Sequence, residues 1–340
     1  MPVLVKPTRL FSDTLLESYR QQGDAPADAV ITAVVDADGP TGLRLLMRWL
    51  ADTADFKAAE QHPAVQDFFV QYASMPAWAE ADRMQRGMEF FKKNAQKIGL
   101  TLGLFSLPYT YLGANGAQVL WITERIKNDT ARRLQETGEW VFAVHNPKEW
   151  RTGTGTAIAR TLKIRLIHAG ARWFSLHSGR WNDAWGHPVN QEDMAGTNIA
   201  FSYIVLLGLR KADVSLTEKE EEDYLHLTGV INSLIGVADA LLPQNMREAY
   251  TLNKAIARRQ FATSEAGIGL TRSLLNAIGD VSVQAGRGVA IPETARNLAA
   301  GEMRFFLGDE YADWLGIPKV PVEKRLAGLI SRLPIFPGFN

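Results

Sequence analysis

The sequence contains no cysteine and carries no net charge. Without thiols the chain cannot form disulfide bonds, thiolate metal sites, a covalent haem linkage or a cysteine nucleophile. Lysine plus arginine and aspartate plus glutamate both number 37. The charge balance therefore gives no reason to expect a nucleic acid or an anionic membrane as partner.

Long apolar runs are also missing. The longest, Ile199–Leu209, is shorter than the ~20 residues that cross a bilayer, so no transmembrane segment is expected. The first residues, MPVLVKPTRLFSD, contain neither an apolar signal core nor a twin-arginine motif. We therefore expect a cytoplasmic protein.

Helical periodicity runs through most of the chain, and we find no period-two strand, internal repeat or low-complexity linker. The sequence predicts an all-α protein in which 1–340 form a single domain: an N-terminal helical extension (1–80), a core (81–260) and C-terminal helices packed on it (261–340). Thr41, Asp129 and Asn190 are placed like helix starts, and a further helix begins at about Thr156. The stretch from Asn190 to Lys211 reads as one strongly buried helix.

Common catalytic and metal-binding motifs are absent. The six histidines include no H-E-x-x-H pair, and the nearest approach to a Glu-x-x-His motif is Asp223–His226, with no second copy. The segment Gly153–Ala157 lacks the lysine of a phosphate loop, and no G-x-S-x-G elbow occurs. What remains is a lone histidine on an apolar helix, and haem is the cofactor that needs only one protein ligand.

That histidine, His168, lies between Arg165 and Arg172 on one helical stripe. The two positive charges disfavour protonation, which leaves the imidazole the lone pair that iron requires. The arginines can pair with haem propionates. Equally, each can bridge to an acid on another helix, such as Glu136 or Asp193. A hydrogen-bonded core histidine without a cofactor is the third alternative, and spacing does not separate the three.

Four blocks resemble the family of latex-clearing rubber oxygenases and the mycophenolic-acid-pathway oxygenase. They are LFSLPYTYLGANGAQVLWIT (Leu104–Thr123), RRLQETGEWV (Arg132–Val141), KIRLIHAGARWF (Lys163–Phe174) and WGHPVNQEDMAGTNIAFS (Trp185–Ser202). A weaker similarity follows in LGDEYADWLGIP. The third block is similar to the family's Arg-x-x-His-Ala-x-x-Arg signature, and the order of all four matches.

The resemblance implies a globin-like helical core holding a non-covalent haem b, with His168 as proximal ligand. It places Arg133 and Thr137 near the haem on the distal side; otherwise they are a surface arginine and a hydroxyl bonded to its own helix. Thr197 and Gln191 are candidates for hydrogen bonding around the ligand histidine, although Gln191 can equally belong to a helix cap.

Two departures from the family pattern bear on catalysis. Glu136 stands where some rubber oxygenases have a lysine that can occupy the distal site, so we expect an open or water-bound sixth position. The stretch YLGANGAQVL has no carboxylate, and Gln118 or Ala117 falls where the family has a glutamate base. Glu136 can take over as that base.

The function implied is a haem-dependent dioxygenase, with O2 as co-substrate, that oxidises or cleaves a C=C bond in an apolar isoprenoid-like or unsaturated molecule. Because no secretion signal is visible, a small hydrophobic substrate is favoured over polymer particles. Two alternatives stay open. One is a non-catalytic haem- or oxygen-binding, redox-sensing globin-like protein, and the other is a cofactor-free helical binding protein.

Overall fold

The computed structural model describes residues 8–123, 125–284 and 292–321, with side chains placed except at 125–129 and 282–284. Within these ranges no strand forms, which confirms the all-α prediction; one isolated bridge joins Gly113 and Phe261. The helices are α1 Asp13–Arg20, α2 Ala25–Ala51, α3 Pro63–Tyr72, α4 Ala81–Thr101, α5 Leu107–Tyr111, α6 Ala117–Ile122, α7 Arg125–Val144, α8 Ala157–Leu176, α9 Gln191–Phe201, α10 Tyr203–Lys211, α11 Glu218–Ile235, α12 Met246–Gln260, α13 Glu265–Gln284, α14 Pro292–Leu307 and α15 Asp309–Trp314. A π-helical turn, Leu102–Ser106, joins α4 to α5. In the described ranges, no helix is both long and apolar enough to cross a membrane.

Two of the predicted helix starts are correct. Thr156 caps α8, whose first residue is Ala157. Asn190 caps α9, because its side-chain oxygen accepts a hydrogen bond from the backbone N–H of Asp193 at 2.9 Å.

Of the other two starts, Asp129 is wrong and Thr41 lies within two residues of a new helical start. The helix α7 begins at Arg125, so Asp129 lies inside it and not at its cap; the residues before Asp129 are themselves good helix formers. Thr41 lies within α2, but directly after a break at Gly39 and Pro40, where the second helical segment of α2 begins. Gly39 has φ 64°, a left-handed conformation that glycine adopts without strain, and Pro40 removes a helical N–H donor.

The stretch from Asn190 to Lys211 is not one helix. Ser202, with φ −115° and ψ −83°, separates α9 from α10. Its hydroxyl donates to the Asn198 carbonyl at 2.7 Å. A serine that bonds back to its own helix competes with the regular backbone ladder, which is a known way to bend a helix.

The helix that carries His168 packs along α2, and α3 covers part of the same side. Their apolar faces form one buried cluster, which includes Leu162 and Leu166 of α8 and Ile31 of α2. The largest cluster draws on α1, on α4 to α6 and on most of the later helices, and α13 packs against both α7 and α14. Helices from all three predicted parts of the chain thus contact one another, while the division at residues 80 and 260 stays a prediction.

Candidate functional site

His168 is half-buried, and its Nδ1 atom is buried without a hydrogen-bond partner among the described residues. Burial, helped by the charges of Arg172 and Arg133 and opposed by that of Asp24, lowers the pKa of His168 to about 4. The ring is therefore neutral at physiological pH and keeps a lone pair available. Because a buried polar atom without a partner is rare in native proteins, this nitrogen calls for a ligand or a water.

Arg165, one turn before His168, is fully engaged with neighbouring side chains. Its Nε donates to Asp24 Oδ2 at 2.6 Å and its Nη2 to Asp24 Oδ1 at 2.9 Å. The guanidinium also lies over the rings of Phe68 and Tyr72, at 5.4 and 4.6 Å from their centroids. This arginine joins α8 to the start of α2 and to α3.

Arg172, one turn after His168, is more deeply buried and less well satisfied. Its Nε donates to Asp28 Oδ1 at 2.6 Å, and its Nη1 to the Val189 carbonyl at 3.2 Å. The remaining nitrogen, Nη2, is buried and has no acceptor among the described residues. The His168 stripe thus holds two buried nitrogen atoms that lack a partner among the described residues. One is His168 Nδ1, which can offer a lone pair, and the other is Arg172 Nη2, which can donate an N–H.

Each of the two arginines pairs with an acid on another helix, which is one of the alternatives that the sequence leaves open. The acids are Asp24 and Asp28, however, and not Glu136 or Asp193. Sequence reasoning missed them because they lie far away along the chain. What the sequence does offer is their position: both acids stand at the start of a helix, where acidic residues are common.

Gln191 and Thr197 direct their hydrogen bonds to backbone groups and not to His168. The Gln191 amide donates to the carbonyls of Gly23 and Gly236 at 2.9 Å each and accepts from the Ala238 N–H at 2.8 Å. The Thr197 hydroxyl donates within its own helix, to the Asp193 carbonyl at 3.0 Å. Gln191 therefore joins the start of α9 to two loops, the one before α2 and the one after α11, which is a role beyond a helix cap.

Arg133 and Thr137 lie on one face of α7, four residues apart. The charge of Arg133 lowers the pKa of both His168 and Tyr111, so the guanidinium is near both rings. Thr137 lines a small apolar cavity. Burial raises the pKa of Tyr111 to about 12, so its hydroxyl stays protonated. Sequence reasoning missed Tyr111, although it stands in the first of the four similar blocks.

Glu136 faces the solvent side of α7. Its carboxylate accepts from Arg132 Nε at 2.9 Å, and 39% of its side chain is exposed. An exposed i, i+4 ion pair of this kind stabilises a helix by only about 0.3–0.5 kcal/mol. The carboxylate does not line the cavity that Thr137 lines.

The segment without a carboxylate, residues 111–120, is approached by an acid from another helix. A Cβ atom placed on Gly116 would lie 2.9 Å from Cγ of Asp193. Asp193 accepts from Arg20 Nη1 at 3.1 Å and from Asn190 Nδ2 at 2.8 Å. Burial raises the pKa of this carboxyl, against the opposing effect of Arg20.

The polar residues of the fourth similar block serve largely to anchor α9. Glu192 is fully buried and accepts from Arg20 Nη1 at 3.3 Å, Arg259 Nε at 2.7 Å and Gln260 Nε2 at 2.9 Å. Removing one partner of such a buried charge is costly, because the other charges stay buried without compensation. The start of α9 is thereby fixed to α1 and α12.

No group of three or more histidine, aspartate and glutamate side chains that could hold a metal ion occurs among the described residues. The His168 stripe offers one imidazole and one unsatisfied guanidinium N–H. A prosthetic group with one axial coordination position and acidic side arms matches that pair. Haem has both features, so the residues present fit it.

Comparisons with known proteins agree with this architecture. Residues 101–333 match the family model described as "ER-bound oxygenase mpaB/B'/Rubber oxygenase, catalytic domain". The rubber oxygenase of Streptomyces sp. (strain K30) is 25% identical over 308 residues, which cover 89% of this chain and 72% of that protein. The solved structure of latex clearing protein LCP in the closed state superposes with a TM-score of 0.74 at 22% identity, covering 93% of this chain and 83% of that one.

Proposed function

The chain belongs to the family of the ER-bound oxygenase mpaB/B' and rubber oxygenase catalytic domain, and from this membership we propose a haem b-dependent oxygenase. It uses dioxygen to oxidise or cleave a C=C bond in an apolar isoprenoid-like or unsaturated small molecule. The observation that carries the proposal is the neutral imidazole of His168, whose buried Nδ1 has no partner among the described residues.

His168 is the residue that would ligate the iron. Its low pKa keeps the imidazole neutral at physiological pH, so no proton has to be displaced before coordination. Arg172 would hold an acidic side arm through its unsatisfied Nη2. Arg165 is less suited to that task, because Asp24 already occupies two of its donors.

When bound, a haem supplies the electron-transfer and dioxygen chemistry that side chains lack. Arg133 and Thr137 would act on the reacting oxygen atoms. A guanidinium near the site stabilises negative charge as it develops on oxygen, and a hydroxyl can donate one hydrogen bond. Burial around Tyr111 and His168 excludes water, which strengthens both effects.

We leave Glu136 out as the base. Its carboxylate pairs with Arg132 on the solvent side of α7, and a general base has to be within hydrogen-bond reach of the proton that it takes. The same observation favours a second candidate function, a haem protein that binds oxygen or senses redox state without catalysis.

The first test is the ultraviolet–visible spectrum of the purified protein, oxidised and reduced, beside that of His168→Ala. The proposal expects a Soret band at about one haem per chain, lost or strongly shifted in the variant. A colourless protein, even after haem is supplied during expression, would rule out both haem functions and leave a cofactor-free binding protein.

His145→Phe is the matched control for that spectrum. His145 is also buried and neutral and has an unpartnered nitrogen, Nε2. Its ring, however, is stacked on Phe91 with centroids 4.0 Å apart, and its Nδ1 hydrogen-bonds the Val141 carbonyl at 2.6 Å. The band should survive this change.

Catalysis is tested separately by products. The holoprotein is incubated with reductant, dioxygen and a short polyprenyl or unsaturated fatty substrate, and carbonyl fragments are trapped as hydrazones. Fragments that form with the wild-type protein but not with Arg133→Ala support the oxygenase. A haem-loaded protein that yields no carbonyl or oxygenated product would favour the oxygen-binding function.

A further inference from the structure

A small cavity lies between α7 and the junction of α4 and α5. Its volume is ≈ 30 Å³. The side chains around it are almost entirely hydrocarbon, with one hydroxyl: Leu102, Leu107, Leu134, Thr137, Gly138, Val141, Phe142 and Phe201.

The composition of this wall decides what can occupy the cavity. A buried water needs two to four polar partners, and the Thr137 hydroxyl is the one polar side-chain group in the lining. In a helix that hydroxyl can also bond back to its own backbone. The cavity therefore favours an apolar occupant over water.

The volume limits that occupant to a few atoms. One water-sized probe needs about 10–15 Å³, whereas a cavity that binds benzene measures about 150 Å³. At ≈ 30 Å³ the cavity is too small for a five-carbon isoprenoid unit. A diatomic apolar gas fits.

The cavity is connected to the candidate site through α7. Thr137 forms part of its wall, Arg133 lies one turn earlier on the same face, and α7 packs against α8, the helix that carries His168. On the opposite side, Leu102 belongs to the π-helical turn Leu102–Ser106. Such turns are rare and often lie at functional sites.

We propose that this cavity is a docking site for dioxygen, from which the gas reaches the reacting atoms past Thr137. The choice of dioxygen rests on the proposed function. The existence of a dry gas site does not, because it follows from the volume and the lining alone.

Xenon is the probe for the cavity, since it is apolar, monatomic and binds dry cavities. Methyl resonances of Leu102, Leu134 and Val141 in the purified chain are followed under rising xenon pressure. Saturable shifts at these methyls are expected, and Val141→Phe, which fills the space, should abolish them. Absent shifts, or shifts unchanged in Val141→Phe, would overturn the inference.

Three further variants test whether the cavity holds a water molecule and whether it is empty space. If xenon binds only after Thr137→Val, a water held by the hydroxyl occupies the cavity, and the inference is wrong. Val141→Ile should hold or raise the melting temperature because its extra methylene enters empty space. Val205→Ile, fully buried in the same apolar cluster but outside the lining, should lower it by overpacking.

The dioxygen assignment is tested on the haem-loaded protein by rebinding of dioxygen after flash photolysis. Val141→Phe should slow bimolecular rebinding several-fold with an unchanged Soret band. Unchanged rebinding together with positive xenon shifts would refute dioxygen docking but leave the proposed function standing. A protein without a Soret band would refute the proposed function while the xenon result is judged on its own.

Discussion

Arg165 and Asp24 form a buried ion pair with two parallel hydrogen bonds, at 2.6 and 2.9 Å, that joins the middle of α8 to the first residue before α2. Asp24 lies outside the matched range 101–333. Two turns further along α8 and one turn further along α2, Arg172 and Asp28 repeat the pairing. The helix that carries His168 is thus held on both sides of the histidine by acids from the N-terminal part of the chain.

Replacing Asp24 by asparagine should destabilise the protein strongly. The change keeps the shape but leaves Arg165 buried without a counter-charge, a loss of about 3–5 kcal/mol in the free energy of unfolding. Urea titration measures it. Asp13→Asn is the matched control: its partner Arg258 has 67% of its side chain exposed, so water compensates and the loss should be smaller. Equal losses in the two variants would contradict the ranking.

Gly236 should not tolerate alanine. It ends α11 with φ 95°, and a Cβ there would collide with Asp24 Oδ2 and lie 2.6 Å from Arg165 Nε. The φ angle alone costs about 1–2 kcal/mol for an L residue. Gly179→Ala isolates that cost, because Gly179 has φ 67° with nothing within 4 Å of its added methyl. Gly236→Ala should lose more unfolding free energy than Gly179→Ala, by thermal and urea denaturation, and a loss no larger would show that the ion pair moves aside easily.

On the proposed haem function, Arg172 and Arg165 should differ in their effect on haem retention. Lysine at 172 keeps a charge for Asp28 but removes the unsatisfied Nη2, so the rate of haem transfer to an apo-globin acceptor should rise. Lysine at 165 breaks the two-bond pair with Asp24 and should mainly lower the midpoint of urea unfolding. Transfer rates raised equally in both variants would argue against a specific contact by Arg172.

Local features were predictable from sequence wherever one residue decides them, as at the cap Asn190 and at the start of α8. The His168 stripe was predictable too, since 165, 168 and 172 share a helix face by period alone. Its partners were not, because Asp24 and Asp28 are more than a hundred residues away from the arginines they bind. The break at Ser202 was missed for another reason: apolar residues continue on both sides of it, and helical periodicity does not register a single back-bonded hydroxyl.

Acid should destabilise the protein through its buried histidines, and His145 allows one of them to be counted. Burial lowers the pKa of His145 to about 4, from 6.5 in the unfolded chain, and a hydrogen bond to the Val141 carbonyl opposes the shift only partly. Between these two pH values the unfolded state binds a proton that the folded state refuses. Stability therefore falls as the pH is lowered from about 6.5 to about 4.

His145→Phe should remove this one-proton difference between the folded and the unfolded state. At about 1.4 kcal/mol for each pKa unit, the wild-type side chain contributes a loss of roughly 3 kcal/mol across the window, and the variant should lack it. Urea unfolding at half-unit pH steps gives the slope for each protein. Phe91→Leu is the control, because it loosens the same stack, in which the rings lie 4.0 Å apart, yet keeps the imidazole. It should lower stability at every pH by a similar amount and leave the slope as in wild type. If His145→Phe shows the wild-type slope as well, another titrating group accounts for the acid sensitivity, and the imidazole of His145 accepts its proton in the folded state.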